Sequence, residues 1–170
     1  MHEVYGGYRL NSLDELRQNA SDHAVDLVED YYFKSNNIKG LYCDSTIALS
    51  SNLKTSVEKS CVLAEELGHH YTTSGDILDQ DIAMNRKQEL RARMWAYDKK
   101  IGLQGIIKAY NHGCQNEFEM AEYLEVTDEF LQDAIARYKE KYGIATKVDN
   151  YIVFFEGGLA VLELIRDPED

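Results

Sequence analysis

Hydrophobic positions recur with a helical period between Thr55 and Thr72. The stripe that they form consists of Val57, Cys61, Ala64, Gly68 and Tyr71. Thr55 and Glu58 have the spacing of a capping box, in which each side chain bonds to the backbone amide of the other residue. The pattern therefore predicts a helix with one face against a core. Gly68 costs about 1 kcal/mol of helix propensity relative to alanine, so we expect it to permit the close approach of a neighbouring backbone.

Helical and strand patterns alternate on both sides of this segment. Apolar spacing predicts further helices over residues 12–22, 85–102, 103–110, 117–124 and 128–138. Alternating patterns predict short strands over residues 24–29, 39–43 and 46–50, and a terminal β-hairpin over 151–155 and 159–164. Together these elements indicate an α+β fold. We expect a small antiparallel sheet beside the 55–72 helix, a helical C-terminal half and the hairpin at the end.

Length and charge narrow the possible classes of protein. A chain of 170 residues with 44% hydrophobic content fits one domain. We expect residues 1–113 to form its core and residues 114–170 to pack on that core. The net charge of -12 argues against general nucleic-acid binding, because phosphate contacts need clustered Lys and Arg. The helices over 117–124 and 128–138 are spaced as a helix-turn-helix. The second of them, the candidate recognition helix, has Arg137 as its one basic group. We therefore expect this helix to pack against the protein rather than to read DNA.

Cysteine usage and the N-terminus bear on the compartment. The three cysteines, Cys43, Cys61 and Cys114, are widely spaced and odd in number, which argues against a disulfide framework and favours a reducing interior. The N-terminal residues lack a basic leader and an apolar segment, and no window approaches the ~18 apolar residues of a membrane span. We therefore expect a cytoplasmic protein without membrane contact.

The end of the 55–72 helix carries a metal-binding pattern with one ligand altered. In an HExxH helix, two histidines four residues apart hold one zinc ion, and the glutamate after the first histidine activates water. Here the frame reads Glu65-Glu66-Leu67-Gly68-His69. Glu65 and His69 are one helical turn apart and could hold one ion together. Glu66 would then be the general base.

A mononuclear catalytic zinc site needs a third protein ligand. Glu89 is one candidate, because Ala92 and Ala96 follow it on a small-residue side of the next helix, where another helix could approach. The acidic segment over residues 76–81, which we expect to be a loop, offers three more candidates, Asp76, Asp79 and Asp81. A helix that is rich in glutamate, partly solvated and free of metal is the alternative to any zinc site. His70 is expected to support the site or lie at the surface, since a frame that used it as ligand would put Leu67 at the base position.

Four segments in this order resemble the ImmA/IrrE-type metallopeptidases of phages, integrative elements and bacteria. The segments are LYCDSTIALSS, CVLAEELGHHYTT, NRKQELRARMWAYDK and AEYLEVTDEFL, and together they span about half of the chain. The resemblance implies a zincin-like metallopeptidase fold in which Glu66 and His69 match the base and the second ligand. It also implies Glu89 as the third ligand and places Glu65 where the first histidine would be.

Two functions follow from the resemblance. The first is a zinc-dependent endopeptidase that cleaves a helix-turn-helix repressor of a phage or mobile element, with the substrate extended along an edge strand and Glu66 activating water. The second is a non-catalytic module of the same fold that binds a repressor or another regulator without cleaving it. Zinc content and the effect of Glu66→Gln distinguish the two. The oligomeric state is left open by the sequence.

Overall fold

The computed structural model of the chain describes residues 11–72 and 82–165. Its contacts divide the chain into two compact units, with the boundary in sequence between Arg93 and Met94. The predicted organisation, a single domain with a core over 1–113 and residues 114–170 packed on it, stays a prediction. The predicted α+β class is confirmed.

The first unit contains a small sheet and the helices around it. Its elements are α1 (Ser12–Asp22), β1 (Asp26–Tyr31), β2 (Gly40–Cys43), β3 (Thr46–Ser50), α2 (Ser56–Thr72) and the first part of α3 (Ile82–Lys100). The strand order is β1-β3-β2. Strand β2 pairs antiparallel with β3, but β1 pairs parallel with it, so the prediction of an antiparallel sheet was wrong for β1. The reason is that β3 lies between β1 and β2, and a chain that reverses at each turn gives β1 and β3 the same direction.

The β2–β3 hairpin is fixed by its turn. Asp44 and Ser45 both have positive φ, at 47° and 58°, as a two-residue hairpin turn that matches the strand twist requires. This turn sets the register that places Ile47 and Leu49 on the inner face of the sheet, where both are fully buried. The same register puts Gly40 and Tyr42 opposite Leu49 and Ile47, on that inner face.

Helix α2 begins with the predicted capping box. The Thr55 hydroxyl accepts the Glu58 amide at 3.1 Å, and the Glu58 carboxylate accepts the Thr55 amide at 2.9 Å. The buried positions of the helix form a broader face than the predicted stripe and include Leu63, Ala64 and Leu67, each of them fully buried. These side chains pack beneath the sheet and against α1.

Helix α3 passes close to α2 at Gly68. A β-carbon at Gly68 would lie 2.2 Å from the backbone oxygen of Ala92, and Ala92 is itself fully buried. The prediction that Gly68 permits the approach of a neighbouring backbone is therefore confirmed. The contact also shows why small residues follow Glu89 on α3.

The second unit contains the rest of α3 from Met94, three more helices and a second sheet. The helices are α4 (Gly102–His112), α5 (Glu117–Leu124) and α6 (Asp128–Tyr142). The strands β4 (Ala145–Val148), β5 (Tyr151–Phe154) and β6 (Ala160–Glu163) form an antiparallel sheet in the order β4-β5-β6. The predicted terminal hairpin is thus two strands of a three-stranded sheet. Strand β4 escaped prediction because it is four residues long and half polar.

Two helix boundaries test the sequence patterns further. Helix α3 begins at Ile82 rather than at Asn85, so the predicted start of this helix was wrong by three residues, and Asn85 lies on an exposed part of it. The break between α5 and α6 is confirmed, with Glu125 in the left-handed region and the Thr127 hydroxyl accepting the Phe130 amide at 3.1 Å. Among the described residues, no helix is both long enough and apolar enough to cross a membrane.

Candidate functional site

The C-terminal half of α2 presents two adjacent columns of side chains. Residues four apart on a helix lie one above the other, so Val62, Glu66 and His70 form one column, and Glu65 and His69 form the next. The first column faces β2 and His69 faces α3, as the contacts below show. The site is therefore built where one helix meets a strand on one side and a second helix on the other.

On the strand side, β2 lies directly against α2. A β-carbon at Gly40 would lie 2.6 Å from Val62 Cγ1 and 2.8 Å from Glu66 Oε1, so this position leaves no room for a side chain. Two residues further along, the Tyr42 hydroxyl and His70 Nδ1 lie 3.0 Å apart and form a hydrogen bond. Glu66 thus lies under the strand, at the first of these contacts and one helical turn before the second.

On the helix side, α3 brings Glu89 to His69. The distance between His69 Nε2 and Glu89 Oε2 is 3.2 Å. The other oxygen of Glu89 accepts a hydrogen bond from Arg93 Nε at 2.8 Å. The close passage of α3 over Gly68 makes this contact possible, because Ala92 and Glu89 lie three residues apart on α3.

Glu66 is the carboxyl group of the site whose pKa is strongly raised. Burial raises its pKa to about 7, and the charges of Glu65 and Glu89 add to that increase. The charge of His69 and a hydrogen bond from the Tyr42 backbone oppose it. A carboxyl group with a pKa near neutrality can exchange protons at physiological pH, which is the property a general acid or base needs.

His69 and Glu89 are perturbed in the opposite sense to each other. The hydrogen bond to Glu89 raises the pKa of His69 despite partial burial, and the charges of Glu66 and Glu65 raise it further. The hydrogen bond to His69 is also the main reason that the pKa of Glu89 falls to about 2, with Arg93 contributing. Both shifts favour the pair of a protonated His69 and an ionised Glu89.

Two of the predicted zinc donors are at a suitable separation. Donor atoms about 2.0–2.2 Å from a tetrahedral zinc ion lie roughly 3.3 Å from one another, and His69 Nε2 and Glu89 Oε2 are 3.2 Å apart. Glu65 is half-buried and lies close enough to raise the pKa values of both Glu66 and His69. Within residues 11–72 and 82–165, however, no three side chains of His, Cys, Asp or Glu converge as a metal site. The three-ligand zinc site stays a prediction.

The outer edge of β2 carries backbone groups that β3 does not use. The Ser50 amide donates to the Lys39 carbonyl at 2.9 Å. Because residues of an antiparallel ladder alternate between bonding their partner and facing away, Leu41 and Cys43 bond to β3 while Gly40 and Tyr42 direct their backbone groups outward. None of the described strands pairs with this edge. The outward groups lie directly above Glu66 and His70.

Sequence reasoning found the main residues of this site and missed two. The structure brings together Glu66, His69 and Glu89, and it places Glu65 beside them. The competing ligands Asp76, Asp79 and Asp81 lie outside the described residues. Tyr42 and Arg93 were not predicted. The spacing of Arg93, four residues after Glu89 on one helix face, was a readable signal for it, whereas Tyr42 depends on strand packing that has no local signature.

No family model, curated protein or solved structure matches the chain. The resemblance to ImmA/IrrE-type metallopeptidases and the zincin-like fold therefore stay predictions.

Proposed function

We propose that the first unit is the active centre of a zinc-dependent endopeptidase. The observation that supports this function best is one arrangement: the His69–Glu89 pair lies beside the buried carboxyl group of Glu66, beneath the open edge of β2. Peptide hydrolysis needs a proton acceptor, an electrophilic group and a way to hold an extended chain. Each of these needs has a candidate within this small region.

His69 Nε2 and a Glu89 oxygen would hold the zinc ion, with Glu65 as the third donor. When bound, zinc would supply a Lewis acid that polarises a carbonyl group and acidifies water. Two carboxylate donors bring more negative charge than a site with two histidines, so we expect modest electrophilicity and tolerance of other divalent metals. Arg93 holds the second oxygen of Glu89 and would fix the orientation of that carboxylate.

Glu66 would act as general base and then as general acid. Its carboxylate takes a proton from the water molecule that attacks the scissile carbonyl carbon. It returns that proton to the amide nitrogen as the carbon–nitrogen bond breaks, so the carboxylate is regenerated. The pKa of about 7 suits both transfers, because the group gains and loses a proton at similar cost near neutral pH.

The open edge of β2 would hold the substrate as an added strand. Backbone bonds to the Gly40 amide and carbonyl and to the Tyr42 carbonyl would give affinity that does not depend on sequence, and side-chain pockets would give selectivity, while the Tyr42 amide bonds to Glu66. A chain paired at Gly40 would pass within reach of Glu66, since a β-carbon at Gly40 would lie 2.8 Å from Glu66 Oε1. The proposed substrate, from the family resemblance, is a helix-turn-helix repressor of a phage or mobile element.

The test is hydrolysis by purified protein with and without added zinc. The substrates are unfolded casein and any helix-turn-helix repressor encoded beside the gene, and products are read by mass spectrometry. We expect zinc-dependent cleavage that Glu66→Gln lowers by about 10²–10⁴-fold, the usual contribution of a general base. The matched control is Glu122→Gln, which neutralises an exposed glutamate of α5 and should leave the rate unchanged. Cleavage by Glu66→Gln at the wild-type rate would exclude Glu66 as the base.

A binding module without catalysis is the second candidate. It is favoured by one observation, that His69 and Glu89 already satisfy each other while no three metal-binding side chains converge among the described residues. A protein that binds the repressor, takes up no zinc at equilibrium dialysis and yields no cleavage product would support this function over the first.

A further inference from the structure

Strand β2 contacts α2 at two points that match the helix repeat. Gly40 lies against Val62 and Glu66, and Tyr42 is bonded to His70. Two residues of strand span about 6.8 Å and four residues of helix about 6 Å, so successive inward positions of β2 meet successive positions of one α2 column. The inward positions of β2 therefore match the spacing of the α2 column along the candidate site.

The two contacts differ in what they can fix. Gly40 has no side chain, so its contact limits how close β2 can come to the helix but does not hold it there. The Tyr42–His70 contact combines a 3.0 Å hydrogen bond with an edge-to-face ring arrangement at 5.5 Å between centroids. It can resist movement of the strand in both directions. Strand β2 is an edge strand, and its hydrogen bonds to β3 do not fix its distance from α2. Side-chain contacts therefore set that distance.

His70 is itself supported from the far side. Its ring meets the Tyr71 ring edge-on at 5.0 Å, and the Tyr71 hydroxyl donates to Asn19 of α1 at 2.9 Å. The His23 ring meets Tyr71 at 5.3 Å. The imidazole of His70 is thus held between Tyr42 on the strand and Tyr71 on its own helix, so its rotamer is defined by contacts on two sides.

We propose that the Tyr42–His70 contact fixes β2 at its working distance above Glu66, which makes His70 a positioning residue. For its catalytic consequence this inference rests on the proposed peptidase function. A substrate added to the outer edge of β2 would move with that strand, and displacements of about 1 Å can cost up to 10²-fold in rate. Loss of the contact should therefore lower kcat more than it raises KM.

Four variants separate positioning from general stability. Tyr42→Phe removes one hydroxyl, His70→Leu removes the ring nitrogen, and His70→Asn keeps a group that can accept or donate near Nδ1. Tyr151→Phe is the matched control, because it removes a phenol hydroxyl of β5 whose 3.0 Å hydrogen bond, accepted from Asn111, lies in the second unit. We expect Tyr42→Phe and His70→Leu each to lower kcat about tenfold, the double variant to lower it no further, and His70→Asn to restore most of the rate.

Amide hydrogen exchange gives a readout that does not need activity. The amides of Leu41 and Cys43, which bond to β3, should exchange about fivefold faster in Tyr42→Phe and His70→Leu than in the wild type, and Tyr151→Phe should leave them unchanged. Equal exchange in Tyr42→Phe and Tyr151→Phe would overturn the inference, as would faster exchange with wild-type kcat in an active enzyme. A wild-type protein that cleaves nothing would overturn the proposed function alone, because exchange then decides whether the contact holds the strand.

Discussion

Two clusters of ionisable side chains lie at opposite ends of α2 in the first unit. The first cluster, near the start of the helix, consists of Asp14, Arg17, Glu29, Asp30 and Lys59. The second cluster, near its end, consists of Glu65, Glu66, His69, Glu89 and Arg93. Each contains three carboxyl groups and two basic side chains. They differ in whether the most buried carboxyl group is paired with a basic side chain.

In the first cluster the inner carboxylate is fully paired. Arg17 donates to both oxygens of Glu29, at 2.7 and 2.9 Å, and this bidentate bond is the main cause of the lowered pKa of Glu29. In the second cluster the basic groups go to Glu89, and among the described residues no cation forms an ion pair with Glu66. Burial then raises the pKa of Glu66 to about 7.

The contrast separates a carboxylate that is stabilised by its ion pair from a buried carboxyl group that is costly to ionise. Protonation of a paired carboxylate brings little gain in free energy, because the basic side chain already compensates its charge. A buried carboxyl group without a cation costs folding free energy when it is charged, and proteins keep such groups mainly where a reaction uses them. The same helix therefore carries a structural ion cluster at one end and a candidate reaction centre at the other.

The largest effect should come from separating the helices that build the second cluster. In Gly68→Ala the new β-carbon would lie 2.2 Å from the Ala92 oxygen, and backbone cannot move aside as a flexible side chain can. We expect a loss of about 3 kcal/mol in unfolding free energy, together with loss of the His69–Glu89 contact while the first cluster is kept. Urea unfolding and the nuclear magnetic resonance signals of His69 measure the two effects.

Gly105→Ala is the matched control for that substitution. The added carbon would meet only Leu124 Cδ2, at 3.3 Å, which a rotamer change can relieve, and the helix of α4 gains propensity. Its unfolding free energy should therefore stay within about 1 kcal/mol of the wild type and rise rather than fall. Equal losses in the two variants would mean that the close approach at Gly68 has no special cost.

The next largest effect is expected for Glu29→Gln and Glu66→Gln, which should change the free energy of unfolding in opposite directions. Glu29 has a lowered folded-state pKa, so its contribution is present above pH 4.5 and lost as pH falls; its replacement should cost about 1–2 kcal/mol at neutral pH. Glu66 has a folded-state pKa of about 7, above its unfolded value, so stability falls as pH rises from 4.5 to 7. Glu66→Gln should therefore stabilise the protein at pH 8, by on the order of 2 kcal/mol, and not at pH 5.

Urea unfolding of both variants at pH 5 and pH 8 measures these signs. A stability gain in Glu66→Gln that is equal at the two pH values would contradict a buried, unpaired carboxylate, because a protonated Glu66 has no charge to remove at pH 5. Loss of stability in both variants at pH 8 would remove the contrast between the clusters.

The parts of the second cluster that follow from helix geometry could be predicted from the sequence. The capping box at Thr55, the glycine at the helix crossing and the small residues after Glu89 are local patterns, and each has a direct structural consequence. They made Glu89 a candidate partner of His69, with Asp76, Asp79 and Asp81 as the alternatives. Residues that share a helix face can be recognised in a sequence because they are three or four positions apart.

What could not be predicted depends on how strands are arranged in space. The parallel pairing of β1 with β3 follows from insertion of β3 between its neighbours, and no local pattern states which strand is inserted. The Tyr42–His70 bond joins residues that are 28 positions apart. The raised pKa of Glu66 also has no sequence signature, since it arises from the burial that β2 imposes. Such features are set by tertiary packing, which overrides local propensity.

The smallest effect concerns the His69–Glu89 pair and tests whether contact or distant charge dominates at the second cluster. Removal of the Glu89 charge should lower the pKa of His69 more than removal of the Glu65 charge, because Glu89 bonds to the ring directly. The stability change in Glu89→Gln should stay below about 1 kcal/mol, since the Glu89 side chain is 47% exposed. The raised pKa of His69 means that this small contribution is present at lower pH and disappears as pH rises through that pKa. Nuclear magnetic resonance titration of the His69 ring in Glu89→Gln and Glu65→Gln decides the point: equal shifts in the two variants would mean that the ring senses only the overall negative charge of the cluster.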